Sequence, residues 1–363
     1  MNTVYKDKES CCGCCACEAR CPRRAIRMEP DEEGFLYPVV NHERCVGCGI
    51  CAHVCPLRRE GNFKEEGRPR FFAATHRSAE VLRRSTSGGA FTAISDAVIG
   101  RGGAVCGAVF DAGLRVAHRV ARTAAGRDRM RGSKYVQSDM RGIYDQLRGE
   151  LERGAALFTG TPCQCPGVRS FFEGSPLAAN LFVCDLICHS VPSPLIWEAY
   201  KRLLEAENGG KLAEVFFRSK KYPWLRDNSN RGFLYRLAGA EEFLEDDRFY
   251  ELFIRKGTIS RPSCGRCRFA DTRRAADLTI ADCFGIEKYA PELYDSRGVS
   301  LIIVTPPRGA EMLKDAARDM AITERPAAEI TAEQRRLSAP AESPAERGEF
   351  WEKVRRSGLK SAL

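Results

Sequence analysis

From residue 71 onward, short apolar runs alternate with stretches whose apolar positions recur at helical spacing. The runs Phe71–His76, Ala104–Phe110, Arg115–Val120, Ala155–Thr159, Leu181–Ile187, Leu278–Ala281 and Leu301–Thr305 are rich in β-branched or aromatic residues and bounded by Gly and Pro. They read as strands. A Gly-rich turn and helix are predicted over Ser87–Ile99, and helices over Arg141–Arg153 and Pro194–Ala206, with a shorter one after the Pro-containing turn that follows Ala155–Thr159. Beyond Glu214–Arg218 the pattern is less regular, and a further helix is predicted over Glu242–Lys256. The tail from Ala321 is rich in Ala, Glu and Arg and is expected to pack helices against the body. Such alternation gives a mixed α/β (α+β) body. A polar segment, Glu60–Arg70, separates it from a cysteine-rich beginning. The expected divisions are 1–62, 70–153, 154–325 and a helical tail, 326–363.

No apolar run reaches the roughly 20 residues of a bilayer span. The longest, around Leu181–Ile187 and Val299–Thr305, are the length of buried strands. Residues Met1–Ser10 are charged and lack the apolar centre of an export signal, so a cytoplasmic location is expected. A chain of 363 residues holds two or three compact domains. Its net charge of +9 is spread among interleaved acids, without the basic stripe that a nucleic-acid binder presents.

Eighteen cysteines change the picture. In a reducing compartment they favour metal ligation over disulfides. Cys11, Cys14, Cys17, Cys21-Pro22 and Cys45, Cys48, Cys51, Cys55-Pro56 both fit C-x2-C-x2-C-x3-C-P. In this bacterial ferredoxin pattern three close thiolates hold one cubane and the fourth reaches the other. Cys11, Cys14, Cys17 and Cys55 are therefore assigned to one 4Fe–4S cluster, and Cys45, Cys48, Cys51 and Cys21 to a second. Zinc takes one tetrahedral set of four and has no use for the doubled octet. Gly13, Gly47 and Gly49 let backbone amides approach the sulfurs, and Ala25, Ile26 and Leu57 supply apolar cover. Cys12 and Cys15 form a second C-x2-C pair whose register fails at Glu18, so they are read as spare.

In the body, Cys264 and Cys267 form a ligand pair on a tight turn, Cys163 follows a strand after Thr161-Pro162, and Cys188 ends the run Leu181–Ile187. Strand ends of one sheet converge on one edge, where these four thiols can meet. Buried free cysteine is the other reading of each. Ser87-Gly88-Gly89 before a helix offers bare amides for a phosphate or a flavin carbonyl, or forms an ordinary helix cap. Ser133-Lys134-Tyr135 offers a hydroxyl, a cation and an aromatic face, or is a solvated loop. No GxGxxG follows the first strand, so a Rossmann site is not supported.

These segments, with Ser87–Gly89 extended through Thr92, and together with Gly132–Ser138, Gly160–Gln164, Asp185–Pro194, Ser263–Cys267, Ala276–Asp282 and Gly298–Leu301, resemble the coenzyme F420 hydrogenase/dehydrogenase beta-subunit family. Gly34–Pro38, between the two cysteine sets, resembles members that carry a fused ferredoxin. The resemblance implies a small ferredoxin-like domain with two clusters, followed by a larger α/β flavin- and cluster-binding body. In that body it implies a third 4Fe–4S cluster on Cys163, Cys188, Cys264 and Cys267, close to an FAD lined by Ser87, Gly88, Gly89, Ser133, Lys134 and Tyr135. Cys106, Cys165, Cys184 and Cys283 stay spare, and Cys283 departs from an aromatic position of the family pattern. Asp185, His189, Asp277 and Asp282 are expected to orient thiolates or flavin.

Clusters move single electrons and flavins bridge to hydride carriers. The expected activity is thus an iron–sulfur flavoprotein oxidoreductase linking an external redox protein or carrier to a two-electron substrate such as coenzyme F420 or another hydride acceptor. No side-chain nucleophile is required, and no catalytic side chain is assigned. The alternative is an electron-transfer subunit serving a separate catalytic chain. A non-enzymatic sensor or nucleic-acid binder has no supporting motif.

Overall fold

The computed structural model describes residues 4–59, 68–221, 224 and 233–363; residues 60–67 of the polar segment Glu60–Arg70 lie outside them. Strands β1 (Ile26–Pro30) and β2 (Leu36–Val40) form an antiparallel hairpin. Its turn is closed by the Asp31 carboxylate, which accepts from the Glu33 and Phe35 amides. The body contributes β3 (Arg70–His76), β4 (Ala104–Phe110), β5 (Val116–Ala121), β6 (Ala156–Gly160), β7 (Leu181–Leu186), β8 (Leu212–Phe216), β9 (Leu234–Leu237), β10 (Leu244–Glu245), β11 (Leu278–Asp282), β12 (Ser300–Val304) and β13 (Met320–Arg325). Eight of these make one mixed sheet in the order β13-β3-β12-β11-β7-β6-β4-β5, and β8–β10 form a small antiparallel sheet. β4, β6, β7 and β11 run parallel as neighbours. The carboxyl ends of these four strands therefore share one edge, where α/β sheets bind ligands.

The period of two in each strand sends alternate residues to opposite layers. Val105, Val109, Leu157 and Ile302 face one core with the helices Ala90–Ile99 and Arg308–Ala316. Cys106, Phe158 and Val183 face the other, which holds Tyr144, Leu147, Val168 and Phe171 of the helices Ile143–Arg153 and Gln164–Phe172. That second core continues into the N-terminal segment, taking in Cys14, Cys15, Ile26, Met28 and Val54. The two parts are also held by polar contacts. Tyr144 donates to the Cys14 carbonyl at 2.7 Å, Arg59 pairs with Glu173, and Ser193 donates to the Glu33 carbonyl.

The mixed α/β class is as expected, and the seven expected strands lie within one or two residues of their places. Two expectations fail. Over Glu242–Lys256 there is β10, a single turn at Arg248–Tyr250 and a π-helical turn at Glu251–Arg255. Phe249, Tyr250 and Phe253 anchor there in an aromatic core around Trp197, which sets the backbone path in place of helix propensity. The tail does not begin as helix either: β13 pairs antiparallel with β3 along the sheet edge before the helices Ala327–Glu333 and Arg347–Ser357. The Gly-rich turn and helix expected over Ser87–Ile99 are both present: Gly89, at φ +87°, is the residue just outside the first turn of the helix Ala90–Ile99.

Candidate functional site

The N-terminal thiols ring a small cavity of about 20 Å³ walled by Cys11, Cys14, Cys17 and Cys55, with Cys12 and Cys15 beside them. Burial raises the Cys17 thiol, and Cys11, Cys15 and Cys55 raise it further. Cys55 likewise responds to burial and to Cys11. Cys55, the distant member of this set, thus faces the triplet of the other motif. On the other side, burial raises Cys51, with Cys48 and Cys21 adding to it. Cys45 stands three residues before Cys48 on the same loop. Cys15, at φ +64°, precedes the helix Ala16–Arg20, and Gly49, at φ +73°, precedes Ile50–His53.

In the body, Cys163 sits just before the helix Gln164–Phe172 and past the end of β6, with its sulfur 3.2 Å from the Thr161 hydroxyl. A buried relay fixes this turn. His118 bonds the Thr159 carbonyl and the Ser138 hydroxyl, Gln164 donates to that hydroxyl, and the Thr161 amide donates to Gln164. Cys188 follows β7, and Cys264 lies in the 3-10 turn Pro262–Arg266, with Cys267 next. Burial pushes the Cys188 thiol well up, and Cys264, Cys163 and Cys267 push it further. Cys264 is raised to about 12 by burial and then Cys163, and Cys267 to about 11 by the same two causes in the same order. Four thiols that disfavour one another's ionisation stay protonated and uncharged together, and iron bound there would ionise them outright.

Among the described residues no three His, Cys, Asp or Glu side chains are gathered to share a single metal ion. One tetrahedral ion with sulfurs at about 2.3 Å would draw them to about 3.8 Å of each other, whereas a cubane spreads its thiolates over four irons.

The remaining cysteines separate into two kinds. Cys106 and Cys184 are buried in the sheet, Cys165 lies in the helix behind it, and Cys283 is 3.3 Å from the Tyr289 hydroxyl. Cys12 is different: its thiol lies against Cys14 and Cys163 at once, between the N-terminal set and the body set. Nothing in its register signals that place, since the long-range packing alone creates it.

A cavity of about 660 Å³ opens over the carboxyl ends of the parallel strands, within the range of cofactor pockets. Cys188 and Thr161 border it, as do Ser87, Gly89, Ser133, Lys134 and Tyr135. Gly88 lies off the cavity, where an added Cβ would meet the Ala74 carbonyl and the Ser300 amide. Lys134 spends its ammonium on the Met130, Arg131 and Gly132 carbonyls at 3.0–3.2 Å, and burial lowers it to about 7. Tyr135 packs edge-on against Phe217 and Tyr250.

Two lining groups lay outside the sequence reading. The Thr92 hydroxyl and Arg131 Nε are buried without a hydrogen-bond partner among the described residues. Both border the cavity beside the N-terminus of the helix Ala90–Ile99. Unmet polar groups at a helix start suit an anionic or carbonyl-rich ligand such as the phosphates of a flavin dinucleotide.

The four groups expected to orient ligands are each held by protein partners, and Asp185, His189 and Asp282 also border the cavity. Asp185 pairs with Arg274 at 3.0 Å in full burial, and Arg274 also donates to the Leu186 carbonyl. Asp277 pairs with Arg169, and Asp282 with Arg218 and the Trp224 indole. His189 is 3.2 Å from Arg336 Nε, and burial followed by that arginine lowers it to about 4.

Residues 154–330 match the family model for the C terminus of the beta subunit of coenzyme F420 hydrogenase/dehydrogenase, and residues 10–58 match the 4Fe-4S dicluster domain. No curated protein matches the chain. Among solved structures, a chain of the xenon-derivatised F420-reducing NiFe hydrogenase complex from Methanosarcina barkeri is similar at 16% identity. The match covers 81% of this chain and 89% of that one, with a TM-score of 0.48.

Proposed function

Because residues 154–330 match the C-terminal family model of the coenzyme F420 hydrogenase/dehydrogenase beta subunit and residues 10–58 match a 4Fe–4S dicluster domain, we propose that the chain is an iron–sulfur flavoprotein oxidoreductase of that family. It exchanges electrons between a redox partner or soluble carrier and a two-electron substrate such as coenzyme F420 or another hydride acceptor. The observation that carries this reading is Cys188, which belongs to the body's thiol set and also borders the large cavity.

Cys11, Cys14, Cys17 and Cys55 would hold one cluster, Cys21, Cys45, Cys48 and Cys51 the second, and Cys163, Cys188, Cys264 and Cys267 the third. When bound, such clusters supply one-electron chemistry and FAD supplies conversion to hydride chemistry. The chain's own contribution is placement. The relay from His118 to Thr161 fixes the turn bearing Cys163. Arg274 ties the loop after Cys267 to the end of β7 through the Leu186, Phe269 and Asp271 carbonyls. Thr92, Arg131 and the Phe91 amide would seat the phosphates. Ser133 and Tyr135 would line the ring, while Lys134 would stiffen their loop.

Anaerobic stopped-flow reduction of the bound flavin, screened with NADH, NADPH, reduced ferredoxin and reduced deazaflavin, tests the proposal. Saturable flavin reduction by at least one donor is expected. A purified chain that retains no flavin and whose chromophores respond to none of the donors would refute it. Turnover of a hydride acceptor by the isolated chain would separate a self-contained enzyme from an electron-delivering subunit.

A further inference from the structure

Arg261 is almost fully buried, 1% exposed, yet among the described residues it forms no ion pair with a carboxylate. Its Nε donates to the Cys11 carbonyl at 2.8 Å, Nη1 to Gln137 at 2.8 Å, and Nη2 to the Leu36 carbonyl at 2.9 Å and the Cys11 sulfur at 3.6 Å. The guanidinium also lies over the Tyr37 ring, 4.3 Å from its centroid. All of these acceptors are formally neutral, and an uncompensated buried cation is costly. The ionisable groups that face it are Cys11, Tyr37, Cys12 and Cys264. Two of those thiols belong to different cluster sets: Cys11, whose sulfur accepts from Nη2, and Cys264, whose amide donates to the Arg261 carbonyl at 3.0 Å.

We infer that Arg261 is a potential-setting cation at the junction between the cluster of Cys11 and the body cluster of Cys264. The inference rests on the three-cluster reading proposed above. Cluster potentials follow net charge and hydrogen bonds to the sulfurs, and this residue supplies both to Cys11. An added electron makes a cluster more negative by one charge with no proton needed, so a fixed neighbouring cation favours the reduced form. Gln137 holds the guanidinium in place and itself donates to the Cys12 carbonyl.

The test is an anaerobic redox titration of the full chain followed by electron paramagnetic resonance, with iron content measured on each preparation. Arg261→Gln is expected to lower the reduction equilibrium constant of one centre at least tenfold, about 59 mV for one electron, with iron unchanged. Gln137→Glu keeps the guanidinium but gives it a carboxylate, and is expected to move the same centre in the same direction by less. If both variants keep their iron and every potential matches wild type, the inference is overturned. Should Arg261→Gln lose iron, Gln137→Glu decides alone: a lowered potential supports the inference and an unchanged one overturns it. Iron loss from both variants also overturns it, because the residue is then only a clamp. Wild-type iron near two clusters' worth would sink the body-cluster reading instead, and leave the effect on the cluster of Cys11 to be read in the same titration.

Discussion

Gly13 and Gly47 occupy the same place in the two cysteine repeats and share nearly the same backbone, φ +68° and +70°. Their surroundings differ. A Cβ at Gly13 would lie 2.8 Å from Arg261 Nη1 and 2.8 Å from Gln137 Nε2, whereas at Gly47 nothing lies within 4 Å. Alanine at either position incurs the left-handed penalty of about 1–2 kcal/mol. At Gly13 it must also displace a guanidinium whose hydrogen bonds fix it on three sides, losing at least one charge-assisted bond of about 1.5–3 kcal/mol. Gly13→Ala should therefore be less stable than Gly47→Ala by about 2 kcal/mol, roughly 30-fold in the folding equilibrium. Anaerobic urea unfolding followed by cluster absorbance reads the difference. Equal midpoints for the two variants would refute the reasoning, because the clamp would then be soft.

Thr92→Val replaces the orphaned hydroxyl with a methyl of similar size; the flavin-free chain should gain about 1 kcal/mol while FAD affinity falls, as read by thermal shift and fluorescence titration. Unchanged affinity would remove this hydroxyl from the phosphate seat. Burial lowers Lys134 to about 7, so between pH 7 and its unfolded pKa near 10.4 the unfolded chain binds more protons than the folded one and stability rises with pH. Relative to Lys134→Met, wild type should gain about 1–2 kcal/mol between pH 7 and 9, discounted for the residue's partial exposure; parallel profiles would show an ordinary solvated lysine.

The strands were legible because apolar runs such as Leu181–Cys184 and Leu301–Val304 are buried on both faces and carry one message. Glu242–Lys256 misled because its helical spacing reflects contacts with the aromatic core around Trp197 rather than a continuous helix. β13 was hidden by composition: Ile322 packs against the core while Ala321, Glu324 and other neighbours on this edge strand face solvent, so it reads as polar. Spacing named the eight N-terminal cysteines, since their repeat is local. Convergence of Cys163 with Cys188, Cys264 and Cys267 depends on which strands lie side by side, which no local pattern states. The roles of Arg261, Gln137, Thr92 and Arg131 were hidden for the same reason, since they arise from what folds around them.

The central claim is that three sets of four thiols hold three cubanes. Iron per chain in anaerobically purified protein, measured for wild type and Cys163→Ala, tests it most directly. The account predicts about 12 iron atoms in wild type and about eight in the variant. Eight in both would contradict it.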